Sequence, residues 1–413
     1  DKQSLTMEPV IKWIFLSSFL DLFAVSLVLP LMSTHLKQLG ASHFLMGCMT
    51  SIYALTQLVS GPIIGSWSDR IGRQQILIYC LLLVGCCYAS MGFVDSLIFI
   101  LMLRALLGIF KHIQVLVRAV ITDRVPRDQQ PLVFGRSKAV ACLSFTLGPA
   151  IGGNLVEMDN GFSYACCLGG ALFLLNAVYF ALSDLPVNKP AGSADETDAK
   201  ETVKAGRAGG SITDAIRDLA NVDWSIYWDV FALKFLTDFS VGAFHNNYSI
   251  KLQEKFDVTP KIAGYTISFQ SFVAALAGLF VGRVNDSFYR EDADYGKRNF
   301  HGYASMTIAL LGIGMTHSLG VFLLWSMLLS TALLFMRIVS TEMMISRCPE
   351  NQRGSILGTG NSISNVARLV TPLLTGLIED MWGSNSANIL AATSAACGIL
   401  MTFWIRKQHP KSS

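Results

Sequence analysis

Apolar residues occur along this chain in long runs, and short polar stretches separate the runs. A helix needs about 20 mainly apolar residues to cross the hydrocarbon core of a bilayer. The first run is long and contains Asp21, so we expect a retained helix rather than a cleaved signal peptide. The pattern predicts an all-α membrane protein of twelve transmembrane helices, numbered here as spans one to twelve: 10–34, 43–65, 74–92, 96–122, 136–156, 162–183, 226–250, 261–283, 300–317, 320–345, 357–378 and 387–405.

The composition agrees with a membrane location. Of the 413 residues, 52% are hydrophobic and 15% are charged, whereas charged residues make up about 25% of a soluble domain. Most of the nine cysteines lie inside apolar runs, where we expect them to pack as small apolar side chains. The sequence contains no basic block, glycine-rich phosphate loop or metal-ligand spacing, so we expect no nucleic acid partner, no cofactor and no metal.

The second half of the chain repeats the first. The matched pairs are Asp21 with Asp238, Gly61 with Gly278, Gly65 with Gly282 and Asp69 with Asp286 at an offset of 217, and Pro126 with Pro349, Gln129 with Gln352, Gly135 with Gly358, Pro149 with Pro372 and Gly153 with Gly376 at an offset of 223. A polar stretch rich in Pro, Gly and charge lies between spans six and seven, as in a flexible linker. We therefore predict a six-helix bundle in residues 1–185, a cytoplasmic linker in 186–222 and a second six-helix bundle in 223–413, the parallel-repeat architecture of transporters.

The positions of Lys and Arg predict the orientation. Cytoplasmic loops of membrane proteins carry an excess of these residues. If both termini are cytoplasmic, most of the loop cations lie on that side, and only Lys37, Lys251, Lys255 and Lys261 lie on the other. We therefore expect a multi-pass protein with both termini in the cytoplasm, and the sequence leaves open whether the membrane is the plasma membrane or an internal one.

The loop after span two carries a recognisable motif, Gly65-Ser-Trp-Ser-Asp69-Arg70-Ile-Gly72-Arg73. It resembles the loop signature G-x-x-x-D-R-x-G-R of the major facilitator superfamily, and Gly72 would allow the tight turn that the loop needs. The resemblance implies the fold of that superfamily and a cytoplasmic gating loop that latches the two halves. The alternative is an ordinary charged turn.

Span five carries a second motif, Gly148-Pro149-Ala-Ile-Gly152-Gly153. It resembles the helix-five motif of drug–proton antiporters, including the tetracycline exporters. Small residues allow close helix contact, and Pro149 would bend the axis. The resemblance implies antiport, and the alternative is tight packing without antiport. Ser144 stands where the antiporter pattern has a glycine.

Three further segments extend the resemblance over essentially the full chain. Arg104 and Gly108 resemble the R-x-x-x-G element of the superfamily, which is associated there with proton coupling. The segments Phe19–Phe23, Gly108–His112 and Asp123–Pro126 resemble most closely one animal orphan group of the superfamily. That group implies fold and transport class but no particular cargo.

Ionisable residues inside the predicted spans are candidates for the substrate and proton pathway, because each charge costs about 2.5–3.5 kcal/mol at the bilayer centre on insertion scales. The candidates, with neighbouring histidines and asparagines, are Asp21, Arg104, Lys111, His112, Arg118, Lys234, Asp238, His245, Arg337, Glu342, Asn361, Asn365 and Arg368. Asn247-Tyr-Ser249 matches a glycosylation sequon, but it lies at the membrane edge and we discount it.

The spacing of these residues suggests how they are arranged. Arg104, Lys111 and Arg118 recur every seven residues, which on an unbroken helix gives one basic stripe. Lys234 and Asp238 are spaced to pair on one helix. The six bases outnumber the three acids, so an anionic substrate group near Lys111 could complete the balance, or solvent and helix ends could absorb the excess.

Asp21 is the best candidate for binding a proton, because burial and a nearby base act on a carboxyl group in opposite directions. His112 could titrate near neutral pH or be purely structural. We expect a secondary transporter of a small organic solute by alternating access, with proton antiport favoured and uniport or symport of an organic anion second. A non-transporting sensor or membrane interaction partner is the alternative from another class. We expect a monomer and no enzyme, since no nucleophile–base constellation is present in the sequence.

Overall fold

The computed structural model describes residues 2–126, 129–182, 224–292, 294–348 and 353–408, and these form fourteen helices and no strand. The predicted linker, 186–222, lies outside the described residues. The helices are α1 Lys2–Gln38, α2 His43–Ile71, α3 Arg73–Met91, α4 Leu97–Phe110, α5 Ile113–Arg124, α6 Gln130–Leu155, α7 Gly161–Leu182, α8 Trp224–His245, α9 Tyr248–Phe256, α10 Pro260–Phe288, α11 Gly296–Met315, α12 Leu319–Ser346, α13 Arg353–Trp382 and α14 Ser386–Gln408.

Each of the twelve predicted spans coincides with a described helix or, for spans four and seven, with a pair of helices, α4 with α5 and α8 with the start of α9. By length and composition alone, eight described segments are long and apolar enough to cross a membrane: Ile11–Gln38, His43–Ile71, Arg73–Met91, Leu97–Arg124, Gly161–Leu182, Pro260–Asn285, Leu319–Ser346 and Ser386–Ile405. The short helix α9 is not among them. Large apolar side chains such as Phe93, Leu182 and Phe288 are more than three quarters exposed, which suits contact with lipid rather than water.

Two spans depart from a single straight helix. Span four is interrupted at Lys111 and His112, which separate α4 from α5. Span seven ends at His245, and the chain continues through Asn247, which has a left-handed φ of 52°, into α9. Because asparagine tolerates the left-handed region better than most residues, this break is suited to its sequence.

The helices form two compact units. The first contains α1, α2 from Ile52, α3 to α7, and the first turns of α10 from Thr259 to Ser271. The second contains Ser42–Ser51, α8, α9, α10 from Phe272, and α11 to α14. Each unit therefore includes a short helical segment from the opposite half of the sequence.

In the first unit, α1 and α6 pack very closely. A Cβ atom at Gly148 would overlap the hydroxyl of Ser26, and one at Gly152 would overlap the carbonyl oxygen of Leu27. Ser26 donates a hydrogen bond to the Ser144 carbonyl at 2.9 Å. Small side chains at these positions therefore let the two backbones approach, as is common between helices in membranes.

Candidate functional site

The first unit contains an ion pair between the fully buried Asp21 on α1 and the mostly buried Lys111 at the break between α4 and α5. The Asp21 side chain is 0% exposed, and that of Lys111 is 9% exposed. Gln114 donates a second hydrogen bond to the other oxygen of Asp21 at 2.7 Å. The Lys111 ammonium also lies 5.1 Å from the ring centroid of Phe173, a cation–π distance. The carboxylate is therefore neutralised and hydrogen-bonded on both of its oxygens.

The break between α4 and α5 places Lys111 in this position. An interrupted helix leaves backbone groups without helical partners, and these need partners elsewhere. The Lys111 carbonyl accepts a hydrogen bond from Gln57 of α2 at 2.8 Å. The next residue, His112, is buried and hydrogen-bonded through Nε2 to the hydroxyl of Ser60 at 2.8 Å. Side chains of α2 thus support the break.

The predicted basic stripe is wrong in its geometry, because it assumed one unbroken helix. Arg104 lies on α4 and Arg118 on α5, on either side of the break. Arg104 is half-buried, with its guanidinium 6.0 Å from the ring centroid of Tyr53 and its Nε buried without a hydrogen-bond partner. Arg118 is exposed. Of the three cations, only Lys111 meets Asp21.

The second unit contains the repeat-related acid, Asp238, in a different setting. Asp238 pairs with Lys234 one turn away on α8, at 3.4 Å. Ser364 of α13 donates a hydrogen bond to Asp238 at 2.6 Å. Both charged side chains remain partly exposed, at 15% for Lys234 and 18% for Asp238. This is the i,i+4 pair that the spacing predicts.

The other predicted residues of the second unit are more exposed. Asn361 and Arg368 of α13 are exposed, and Asn365 between them is half-buried. His245, at the end of α8, is exposed, and its Nδ1 lies 3.1 Å from the carbonyl oxygen of Val241. These residues lie on one helix face or at a helix end rather than around a buried charge.

The two predicted residues of α12, Arg337 and Glu342, are not part of the Asp238–Lys234 pair. Arg337 is exposed. Glu342 pairs with Arg298 at 3.2 Å and accepts hydrogen bonds from Asn285 at 3.3 and 3.4 Å. Arg298 also lies 3.9 Å from Asp292. Glu342 is therefore part of an ion cluster between α10, α11 and α12.

The predicted gating loop is a tight turn between α2 and α3. Gly72 has a φ of 119°, a conformation that L-residues with a side chain rarely adopt. Arg73 pairs with Asp69 at 3.0 Å and, by a short contact, with Asp123 at the end of α5. Arg70 is exposed. All the contacts of Arg73 described here lie within the first unit.

The helix-five motif faces two neighbours within the first unit. Gly148 and Gly152 contact α1, as described above. On another side, a Cβ at Gly153 would lie 2.9 Å from the carbonyl oxygen of Lys261. The carbonyl oxygen of Pro149 leaves no room for a Cβ at Gly264 of α10. The motif is therefore a packing surface for both α1 and the first turns of α10.

Glu379, a buried acid near the end of α13, is a further candidate that lies outside the set of residues predicted from the sequence. Its side chain is 0% exposed, and it lies 3.3 Å from His43 and 3.4 Å from Lys251. Asn247 donates a hydrogen bond to it at 2.7 Å. Span eleven was predicted to end at residue 378, so Glu379 was excluded from the intramembrane acids by a single position. The match of Glu379 to Glu157 at an offset of 222 was the signal available in the sequence.

Comparison with known proteins places these features in a family. The family model of the Major Facilitator Superfamily matches this chain over residues 14–244 and again over 230–413. Multidrug resistance protein 1 of Bacillus subtilis (strain 168) is 24% identical over 399 residues, with 96% of each chain covered. Quinolone resistance protein NorA of Staphylococcus aureus (strain Mu50 / ATCC 700699) is 22% identical over 405 residues, again with 96% of each chain covered.

Solved structures share the fold. A bacterial homolog to the human lysosomal transporter Spinster, in an inward-facing and unoccupied conformation, matches with a TM-score of 0.80 at 13% identity and covers 97% of each chain. The human organic anion transporter MFSD10 (TETRAN) matches with a TM-score of 0.65 at 19% identity, covering 95% of this chain and 98% of that one. Family and relatives indicate a transporter rather than an enzyme. On this evidence, the chain belongs to the Major Facilitator Superfamily.

Proposed function

We propose that this protein is a proton-coupled secondary transporter of a small organic solute, that it works by alternating access, and that antiport is its leading mode. The observation that carries the proposal is the fully buried Asp21, held between Lys111 and Gln114. Intramembrane ionisable residues are costly and usually functional. When a buried carboxylate has its counterion on another helix, protonation of the carboxylate changes the attraction between the two helices and can favour their movement.

The proposed coupling step uses this pair. When Asp21 is ionised, it balances Lys111 and ties α1 to the α4–α5 break. When Asp21 takes a proton, Lys111 loses its counterion and the attraction between the two elements falls. An uncompensated buried charge is unfavourable, so Lys111 then favours water or an anionic group. Protonation thereby changes which arrangement of the helices is most stable.

Antiport is favoured by two features. The helix-five motif, Gly148–Gly153, resembles that of drug–proton antiporters, and its glycines lie against α1 and α10. The relatives named above are a multidrug resistance protein and a quinolone resistance protein. We therefore propose an amphipathic organic molecule as the solute, carried in exchange for protons.

The runner-up is uniport or symport of an organic anion. Among the described residues, Arg104 has a buried Nε without a hydrogen-bond partner, and it lies on α4, the helix that ends at Lys111 of the Asp21–Lys111 pair. A carboxylate on the solute could satisfy that group, because Arg binds carboxylates through paired hydrogen bonds. The human organic anion transporter that shares the fold is consistent with this alternative.

The alternative of another class is a membrane protein that senses a solute or binds a partner protein without transport. No contact among the described residues favours this alternative over transport, and a measurement of solute flux distinguishes the two functions. We further propose that both termini are cytoplasmic, from the loop cations, that the protein is a monomer, and that the chain resembles most closely the animal orphan protein called major facilitator superfamily domain-containing nine.

The test is a solute screen on the purified protein in proteoliposomes that contain a pH-sensitive dye. Under an imposed proton gradient, cationic, neutral and anionic organic solutes are added in turn, with liposomes lacking protein as the blank. Antiport predicts solute-dependent proton release that Asp21→Asn abolishes and Asp238→Asn retains. Uptake of anions without proton movement would favour the runner-up, and absence of flux for every solute class would contradict transport.

A further inference from the structure

Glu379 is the centre of a buried polar cluster that the proposed transport mechanism does not use. Its carboxylate meets the imidazole of His43 at 3.3 Å, the ammonium of Lys251 at 3.4 Å and the amide of Asn247 at 2.7 Å. These groups come from the first turn of α2, from α9, and from the turn before α9. All of them belong to the second unit.

A second acid of α13 holds the same end of α2. The Asp380 carboxylate accepts hydrogen bonds from the backbone amides of His43 and Phe44, both at 2.9 Å. This is a capping arrangement, in which an anion satisfies free amides at a helix N-terminus. Glu254 of α9 also acts electrostatically on His43. His43 is therefore the base on which these acids act.

Lys251 is the one other cation described around Glu379. Its ammonium donates to the carbonyl oxygens of Ala243 and Phe244 at the end of α8, both at 3.0 Å. Burial lowers the pKa of this amine, which lies in α9 outside the membrane-spanning segments, and Glu379 opposes the shift. Lys251 thus anchors Glu379 to α8 and α9, while His43 connects it to α2.

The first unit contains the repeat-related arrangement. Glu157, matched to Glu379 at an offset of 222, pairs with Lys261 at 2.8 Å. Lys261 is in the first turn of α10 and matches His43 at an offset of 218. Both offsets lie close to those that relate the two halves of the chain. The same pairing therefore occurs twice. In each case an acid that follows the fifth span of one half pairs with a base at the start of the second span of the other half.

The glycines around the two pairs repeat as well. In the second unit a Cβ at Gly47 would overlap the carbonyl oxygen of Pro372, just as one at Gly264 would overlap that of Pro149 in the first. A Cβ at Gly376 would lie 2.5 Å from the carbonyl oxygen of His43. The corresponding distance at Gly153, to Lys261, is 2.9 Å. The shared packing makes the two ion pairs a matched set.

The two pairs differ in their base and in their burial. Glu157 and Lys261 are 49% and 29% exposed, whereas Glu379 and His43 are 0% and 17% exposed. Lysine stays protonated throughout the physiological range, but histidine changes charge within it. Of these two described pairs, only that of the second unit combines a fully buried acid with a histidine.

We propose that His43 and Glu379 form a proton-sensitive latch that positions the first turn of α2 against α13, and that the latch must open during transport. The part that concerns the transport cycle rests on the proposed function. Protonated His43 closes the latch through a charge-assisted contact with Glu379. Loss of that proton weakens the contact, while the Asp380 carboxylate continues to cap the first turn of α2. The Glu157–Lys261 pair is the same device without the proton sensitivity.

Hydrogen–deuterium exchange of the full-length protein in lipid nanodiscs tests the latch without any knowledge of the solute. Exchange is compared at pH 6 and pH 8, after correction for the intrinsic pH dependence, in peptides that contain 43–49 and 261–267. We expect exchange in 43–49 to be about fivefold faster at the higher pH, the effect of losing an ion pair of about 1 kcal/mol. We expect 261–267 to show no such change.

Three substitutions separate the latch from general loosening of the fold. His43→Gln imitates the neutral imidazole, so 43–49 should exchange fast at both pH values. His43→Lys imitates the charged one, so exchange should be slow at both. Lys261→His should transfer the pH response to 261–267, a gain that a misfolded variant cannot produce. An unchanged pH response in His43→Lys, or none in the wild-type protein, would overturn the latch.

The role of the latch in transport is tested by a separate measurement of solute flux. If the latch opens during transport, His43→Lys should slow solute flux in proteoliposomes about fivefold at pH 8 and leave it near wild type at pH 6. Equal flux of both proteins at both pH values would overturn the role of the latch in the cycle. If the exchange results hold and the wild-type protein carries no solute, the latch stands and the proposed transport function fails.

Discussion

Asp21 and Asp238 occupy matching positions in the two halves of the chain, yet their surroundings differ in one decisive respect. Asp21 is fully buried, and its counterion Lys111 belongs to a different helical segment. Asp238 is partly exposed, and its counterion Lys234 is one turn away on the same helix. A pair within one helix keeps its distance when helices move, whereas a pair between helices can separate.

This difference shows how a duplicated fold can divide its tasks. The first-half pair combines burial, where charge interactions are strong, with a partner on a separable element. The second-half pair lies within one helix and is less buried than the first, and i,i+4 pairs contribute little to stability. Proton coupling is therefore expected to reside with Asp21, and Asp238 is expected to serve local structure.

The largest effect should come from Asp21→Asn. The change removes the counterion of buried Lys111, and breaking a buried pair costs roughly 3–5 kcal/mol. We expect loss of solute-driven proton movement in proteoliposomes and a lower unfolding temperature in detergent. Asp238→Asn is the matched control and should retain most of the proton movement. Equal losses in both variants would contradict the division between the halves.

A double substitution separates folding from coupling. Asp21→Asn with Lys111→Gln removes both buried charges, so the stability lost in the single variant should largely return while proton coupling stays absent. The measurement is a double-mutant cycle on thermal unfolding, and we expect a coupling energy at the upper end of the roughly 0.5–3 kcal/mol range found for residues in contact. The same cycle at Lys234 and Asp238 should give about 0.3–0.5 kcal/mol. Similar coupling energies for the two pairs would remove the physical basis of the comparison.

The helix pattern and the superfamily fold could be predicted from the sequence, because apolar runs of spanning length and two constant offsets leave little freedom. The break inside span four could not. Neither Pro nor Gly occurs at Lys111 and His112, and the apolar pattern continues through them. The break is stabilised by Gln57 and Ser60, residues of α2 far away in the sequence.

The candidate site was predictable only in part. The intramembrane position of Asp21 and of Lys111 followed from their apolar surroundings, and the i,i+4 spacing gave the Lys234–Asp238 pair. The ion-pair partners of Glu342 and Glu379 could not be predicted from the sequence. Both are determined by contacts between helices that are distant in sequence, and charge counting along single helices contains no information about such contacts.

A smaller effect should follow from Gln57→Leu. The Gln57 amide is a hydrogen-bond partner of the Lys111 carbonyl at the helix break, and leaving a buried carbonyl without a partner costs about 1–3 kcal/mol. We expect a modest loss of thermal stability, together with a weakened proton response because Lys111 is less well positioned. Gln57→Glu keeps the shape but not the donor, so it should not restore the response. Wild-type proton coupling in Gln57→Leu would show that the break does not position Lys111.

The smallest effect on stability and proton movement should come from Lys234→Gln. A small effect is expected because the comparison assigns proton coupling to Asp21 and not to Asp238. Lys234 contributes a partly exposed i,i+4 contact, and the substitution leaves Ser364, which donates a hydrogen bond to Asp238 at 2.6 Å, unchanged. Such pairs contribute about 0.3–0.5 kcal/mol, so unfolding temperature and proton response should stay close to wild type. The informative contrast is Lys111→Gln, which makes the same chemical change in the buried pair. If Lys234→Gln abolished proton movement as completely as Lys111→Gln, the Lys234–Asp238 pair would also take part in proton coupling. A counterion on a separate helix would then not be the property that makes Asp21 the coupling acid.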